Sequence, residues 1–327
     1  MSDTTISELG GVTHATVTDW DRAPGVLEGA RTVTITPREA GLDYWIRDVV
    51  GGTWKGLVNG HTAGAVSGPH MHADTPFRQA LFEEFAFRSV AEDKATRALA
   101  PLVAKAPDRV TMEFYATQLV DEARHAAAFR SHLVELGAPA EGLDAVIAEV
   151  AGPHIASVLD PLERFGLDVI DGNLGFELGV LVLTVLVEGV LAPTAELSER
   201  KWHVIDPQAA QIERGASIDE IRHLAVGSEV VRDFLAVHPQ HRGAALEVLD
   251  TGLTLWKALP MSGVLLHREL LFQQGLTEFA DVVGDYEIWP GRRLVDTTPE
   301  ERLMTAEQWS HETQTVRLEY MGLGGVL

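Results

Sequence analysis

One five-residue phrase occurs twice in this sequence, and it holds the chain's most reactive side chains. Asp121-Glu122-Ala123-Arg124-His125 returns 98 positions later as Asp219-Glu220-Ile221-Arg222-His223. With 28 Glu and 13 His among 327 residues, chance supplies about one Glu-x-x-His, so a single copy would carry no weight. Two copies that share the preceding Asp and the intervening Arg do. On a helix, positions i and i+3 share a face, so each Glu and His project together. Imidazole nitrogen beside carboxylate oxygen is a donor set that suits iron or manganese. The repeated Asp and Arg have a place in the same chemistry. A metal-bound imidazole normally donates its other N–H to a carboxylate, and Asp121 and Asp219 are expected to accept from the His of the opposite helix. Arg124 and Arg222 would then balance those buried charges.

The rest of the composition narrows the field. Hydrophobic content of 46% and charged content of 23% are those of a globular protein. A formal net charge of −22 argues against nucleic acid or an anionic membrane as partner. Cysteine is absent, which removes thiolate metal sites, cysteine-ligated iron–sulfur clusters, disulfides and thiol nucleophiles. Residues 1–12 are polar, without the basic and apolar stretches of a signal peptide. The longest apolar run, 179–187, is too short to span a bilayer. A cytoplasmic protein is the expectation.

The elements that must position the repeated phrase are helices. Residues 1–75 read as an irregular arm rich in Gly, Thr and His, with a β-like piece at 32–36 and a short helix near 43–49. Helical patterning then dominates: about 76–105, 108–136 ending at Gly137, and 140–164 with a bend or break at Gly152-Pro153. Further helices are expected over 169–200, from Pro207 to about 237, 242–259, 262–283 and 299–320, with a loop starting at Tyr286.

Two Glu-His pairs that share a pocket with two metals need facing carboxylates, and an arrangement that supplies them in helix bundles is one Glu from each of two helices beside Glu-x-x-His from the other two. In an antiparallel pair, residues equidistant from the turn lie level. Glu92 lies 15 residues before a turn at Pro107 and Glu122 lies 15 after it; Glu188 lies 16 before a turn at Val204 and Glu220 lies 16 after it. Glu84 and Glu177 are the competitors, two or three turns off level. Glu188 also interrupts an apolar stretch, where an unpaired carboxylate would cost several kcal/mol.

The order Glu, Glu-x-x-His, Glu, Glu-x-x-His, with Asp before each paired Glu, resembles the ferritin-like di-iron oxygenases. Asp-Glu-x-Arg-His in both halves is most similar to the hydroxylase subunits of bacterial multicomponent monooxygenases. The steps 92 to 122, 122 to 188 and 188 to 220 are similar to that group as well. The resemblance covers 76–237. It implies an all-α, ferritin-like four-helix bundle over 76–237, an N-terminal arm over 1–75, and additional helices and a tail over 238–327 in the same domain. The implied ligands are Glu92, Glu122, His125, Glu188, Glu220 and His223, holding two iron ions, with manganese an alternative and dioxygen as cosubstrate. Four carboxylates and two imidazoles would neutralise two Fe(II).

Two departures bear on function. Phe129 stands where ribonucleotide reductase small subunits carry a radical tyrosine. Ala192 stands where the monooxygenases carry an oxygen-handling Thr; Thr184 is the expected substitute, with Gln118 and Arg88 placed to orient a polar group. The implied activity is that of an oxygenase on a small organic metabolite, in natural-product or antibiotic biosynthesis, by hydroxylation, desaturation, or N-oxygenation of an amine, hydroxylamine or hydrazine. Iron oxidation and storage, or a reductase-small-subunit role, is the alternative. Electrons would come from an external donor or reductase, or from the substrate, and a homodimer is compatible with the resemblance.

Overall fold

The computed structural model describes residues 17–55 and 59–327; the polar 1–12 segment lies outside that range. Helix accounts for 76% and strand for 2%, so the chain is all-α. A short helix α1 (Val26–Thr32) sits in the arm, followed by a helical stretch through Leu42–Tyr44, a π turn at Trp45–Val49, and Val50–Gly52. The expected strand at 32–36 does not form: Thr32 closes α1, and among the described residues no strand pairs with those after it.

Next come α2 (Pro76–Lys105), α3 (Arg109–Glu135), α4 (Leu143–His154) and α5 (Asp160–Asp171). They are followed by α6 (Gly175–Leu181), α7 (Gly189–Trp202) and α8 (Pro207–Val237). The chain ends with α9 (Arg242–Ala258), α10 (Met261–Glu278) and α11 (Pro299–Tyr320). Among the described residues the only strands are β1 (Glu287–Trp289) and β2 (Arg292–Arg293), a small antiparallel hairpin inside the segment read as a loop.

Helix starts follow local chemistry. Thr75, Asp206 and Thr298 each accept backbone N–H groups at an N-terminus, and each is followed by a proline whose missing N–H costs nothing there. Asp108 caps α3 in the same way. Each such cap contributes about 1 kcal/mol.

Several boundaries differ from the sequence reading; the helix expected over 262–283, for one, ends at Glu278, and Ala280–Val283 forms a separate turn. Gly152-Pro153 does not break its helix; a π segment (Ile155–Leu159) follows directly and carries α4 into α5. The third long helix begins at Gly175 instead of 169, since α5 runs on to Asp171. Between α6 and α7 lies a third π segment, Val182–Glu188, so 175–202 is one helical span with a widened middle. Pro193, a turn beyond it, cannot donate to the Gly189 carbonyl, and the ladder is interrupted nearby.

α2 packs along α3, and α7 along α8, with α10 and α11 laid against the outside of α2 and α7. Two apolar cores form within this frame. One gathers Phe77, Phe85, Phe129, Trp202 and Phe272; the other gathers Leu102, Phe114, Phe176, Val180 and Val226. The repeated phrase falls at the boundary between them.

Two helical stretches, 143–171 and 175–202, are long and apolar enough to cross a membrane by length and composition alone, so the nine-residue run considered above understated the second. In that second stretch, 78% of the apolar window is buried inside the protein, the condition of a core helix.

Candidate metal centre

The side chains of Glu92 (α2), Glu122 and His125 (α3), Glu188 (end of the π segment), and Glu220 and His223 (α8) converge at the junction of the two cores. Ligand atoms of Glu92, Glu122, His125 and Glu220 lie within 4.8 Å of one another, as do those of Glu122, Glu188 and His223. Glu122 belongs to both groups and stands between them. His125 Nδ1 is 3.4 Å from Glu122 and 3.8 Å from Glu92. His223 Nδ1 is 3.1 Å from the other Glu122 oxygen and 3.7 Å from Glu220. Glu84, the rival of Glu92, is elsewhere: it meets Arg88, Lys201 and the Trp202 indole. Glu177, the rival of Glu188, lines a cavity near Pro107 and His238.

The far side of each imidazole is held across the helix pair. His125 Nε2 meets Asp219 at 3.2 Å, and His223 Nε2 meets Asp121 at 3.5 Å. Arg124 reaches Asp219 at 2.8 Å and Asp121 at 3.0 Å, and Arg222 pairs with Asp121. The arrangement is close to two-fold, as the repeated phrase requires. Arg222 is buried, and its charge with that of Arg124 holds Asp219 far below the ordinary carboxylate range despite the opposing effect of burial.

Two residues in this shell escaped the sequence reading. The Trp45 indole N–H donates to Asp121 at 3.0 Å, and that of Trp54 donates to Asp219 at 3.0 Å. Trp54 also stacks on His125, with ring centroids 5.5 Å apart. Both come from the arm, so that segment closes the back of the site. Gly60 makes this fit possible: its φ is +74°, and a Cβ there would collide with the Trp54 ring. The tryptophans repeat at no helical spacing with the acids, so no one-dimensional pattern marks them.

Five inward-facing atoms are buried without a hydrogen-bond partner among the described residues: His125 Nδ1, His223 Nδ1, Glu122 Oε1, Glu188 Oε2 and Glu220 Oε2. Buried polar atoms are rarely left so, and a cluster of them with metal-ligating chemistry fits one or two cations. The electrostatics agree. Burial, with the charge of neighbouring glutamates, pushes Glu92, Glu188 and Glu220 up. Glu122 is held low against the opposing effect of burial, through its contacts with His125 and His223. Four carboxylates packed this closely remain ionised together only where positive charge lies between them.

The two residues expected to act on oxygen or substrate have other surroundings. Gln118 donates to Glu188 at 2.5 Å, which orients that carboxylate. Thr184 packs so closely on α8 that a Cβ at Gly227 would collide with its hydroxyl. Neither residue lines the cavity at the cluster, which measures about 40 Å³ and is walled by Arg88, Phe129, Ala192, Ala195, Ala216 and their neighbours. Thr184 lies within the π segment, whose i→i+5 bonding changes the facing of residues relative to the α-helix that the sequence reading assumed.

No family model matches this sequence, and no curated protein matches it.

Proposed function

We propose that this chain is an oxygen-activating oxidoreductase, an oxygenase of small organic metabolites. It would hold two iron ions, with manganese the alternative, in a ferritin-like four-helix frame of α2, α3, the α6–α7 span and α8. The observation that carries this reading is the set of five buried, inward-facing nitrogen and carboxylate atoms that make no hydrogen bond among the described residues, in two groups that share Glu122. Glu92, Glu122, His125, Glu188, Glu220 and His223 would be the ligands. Two ferrous ions in such a set supply the two electrons with which dioxygen is reduced.

The protein's own residues do the rest. Asp219 and Asp121 keep the proton of each imidazole on Nε2, so that Nδ1 presents its lone pair to the metal. Gln118 fixes Glu188. Ala192, Ala195, Ala216 and Phe129 give the cavity beside the cluster an apolar wall. Electrons would come from a separate donor protein or from the substrate, and N-oxygenation of an amine, hydroxylamine or hydrazine is the preferred reaction beside hydroxylation.

Anaerobic Fe(II) titration followed by mixing with oxygen tests the reading. Uptake is expected to saturate near two irons per chain, with isotopic oxygen entering a small product once substrate and electrons are supplied. Uptake of tens of irons per chain would instead indicate a store. Trace metal alone after reconstitution would end the proposal.

A further inference from the structure

A second cavity, of about 50 Å³, adjoins the metal centre and shares Arg88, Ala91, Glu92 and Leu191 with the cavity at the cluster. It is lined by four cations, Arg88, Lys201, Arg268 and Arg302. Three of them are engaged. Arg88 Nε meets Glu213 at 2.9 Å and its Nη2 meets Glu84 at 3.4 Å. Lys201 meets Glu269 at 2.6 Å, and Arg302 pairs with Glu269 and donates to Thr297 at 2.7 Å.

Arg268 is the exception. It is 7% exposed, lines the cavity, and makes no hydrogen bond and no ion pair within 4 Å among the described residues. Its guanidinium lies 5.4 Å from the Phe87 ring. Glu83 pairs with His267 at 3.3 Å and acts on Arg268 only from beyond 4 Å. Burial lowers the Arg268 pKa, and Glu84 and Glu269 counter this only from a distance. A guanidinium in so enclosed a position is expected to have an anion on its fork, and here no carboxylate among the described residues lies within 4 Å of it, which leaves the fork open to the cavity.

We propose that Arg268 anchors a carboxylate of the substrate, whose apolar body runs past Ala91 and Leu191 toward the Glu92 side of the metal centre. The inference rests on the oxygenase reading and narrows its substrate to small organic monocarboxylates. A single unpaired guanidinium with Glu84 and Glu269 on the same wall suits one negative charge and disfavours a phosphate dianion. The other walls, Phe87, Met261, Leu265 and Ala306, are apolar and accept a hydrocarbon portion.

The test uses the full chain reconstituted with Fe(II), with benzoate and butyrate as probes against benzamide and butyramide. Binding is read by calorimetry, and metal content is measured on the same samples. Carboxylates are expected to bind at least tenfold more tightly than the amides. Arg268→Met is expected to remove that preference, and Arg268→Lys to recover part of it, with iron per chain unchanged. Equal binding of acids and amides, no binding of either, or carboxylate affinity that survives in Arg268→Met would overturn the inference; the last would mean that the probe ligates the iron. If Arg268→Met fails to fold, the acid–amide comparison and Arg268→Lys decide. Failure of the chain to take up iron would count against the oxygenase reading, whereas the carboxylate preference can still be scored by thermal shift on the metal-free protein.

Discussion

Two clusters of histidine and carboxylate lie on the same face of α3, two turns apart, and they have opposite character. In the outer one, His132 donates to Glu135 at 3.1 Å and to Asp206 at 3.0 Å, and His61 meets Glu135 at 2.9 Å. Its ligand atoms approach one another closely enough to hold a metal. Every ring nitrogen there nevertheless has a polar partner, His61 Nδ1 being 3.2 Å from the Thr62 carbonyl. In the inner cluster, the Nδ1 atoms of His125 and His223 have carboxylate oxygens 3.1 to 3.8 Å away but make no well-directed hydrogen bond to them. Ligand-type residues at metal-like spacing are therefore not sufficient; the unmet hydrogen-bonding capacity distinguishes a site for a cation from a network that ties the arm to the helix ends.

The largest effect should come from deleting an inner histidine. His125→Ala or His223→Ala is expected to reduce bound iron from about two per chain to one or fewer, while His132→Gln keeps both. Elemental analysis reads this directly, and iron loss in His132→Gln would reverse the assignment of the two clusters.

A second contrast concerns Glu92 and Glu84 on α2. Glu84 neutralises buried Lys201 and Arg88, which hold its carboxyl down at about 2 although burial opposes them. Glu84→Ala should cost about 3–5 kcal/mol in denaturant unfolding and leave the iron content intact. Glu92→Ala should lose iron and oxygen reactivity while the metal-free protein keeps its stability, because a mutually repelling carboxylate is removed. The opposite pattern would show that α2 is displaced along its axis by two turns.

The outer cluster should reveal itself through pH. Burial would lower the pKa of His132, but Asp206 and Glu135 raise it to about 9. Folding therefore favours the protonated ring. Its contribution, at most about 3 kcal/mol, is complete below the unfolded value near 6.5 and disappears as pH rises through about 9. His132→Gln should flatten that alkaline loss in unfolding curves measured between pH 6 and 10; an unchanged profile would assign the loss to another group.

Smaller effects belong to the shell behind the inner histidines. Asp219→Asn should weaken metal binding about 10–100-fold, by releasing His125 and leaving Arg124 without its closest anion. Trp54→Phe removes one hydrogen bond to Asp219 and should cost about 1 kcal/mol of stability, with a modest fall in iron affinity. An Asp219→Asn protein with unchanged affinity would show that tautomer control at His125 is unimportant.

Much of the frame was legible because its signals are local. Thr75-Pro76, Asp206-Pro207 and Thr298-Pro299 mark helix starts whatever surrounds them, and Gly137, at φ +97°, marks the end of α3. The duplicated phrase identified its own Asp–His pairs, since two helices carrying the same spacing, packed face to face, must exchange them. Glu92 and Glu188 could be matched by counting from turns, because helical rise is constant. Thr184 could not, because the π segment alters the count only within 182–188.

The sequence by itself determined the all-α class, the helix boundaries set by caps and prolines, and the pairing of residues a fixed number of turns apart. Tertiary structure alone decided what comes from far along the chain. It brought Trp45 and Trp54 from the arm onto Asp121 and Asp219, separated Glu92 from Glu84, and left Arg268 beside a cavity with no carboxylate within 4 Å among the described residues. It also set the two histidine clusters apart, since a nitrogen is satisfied or orphaned by the atoms packed against it. Local propensity acts over a few residues, whereas burial and hydrogen-bond satisfaction depend on neighbours that only the folded chain supplies.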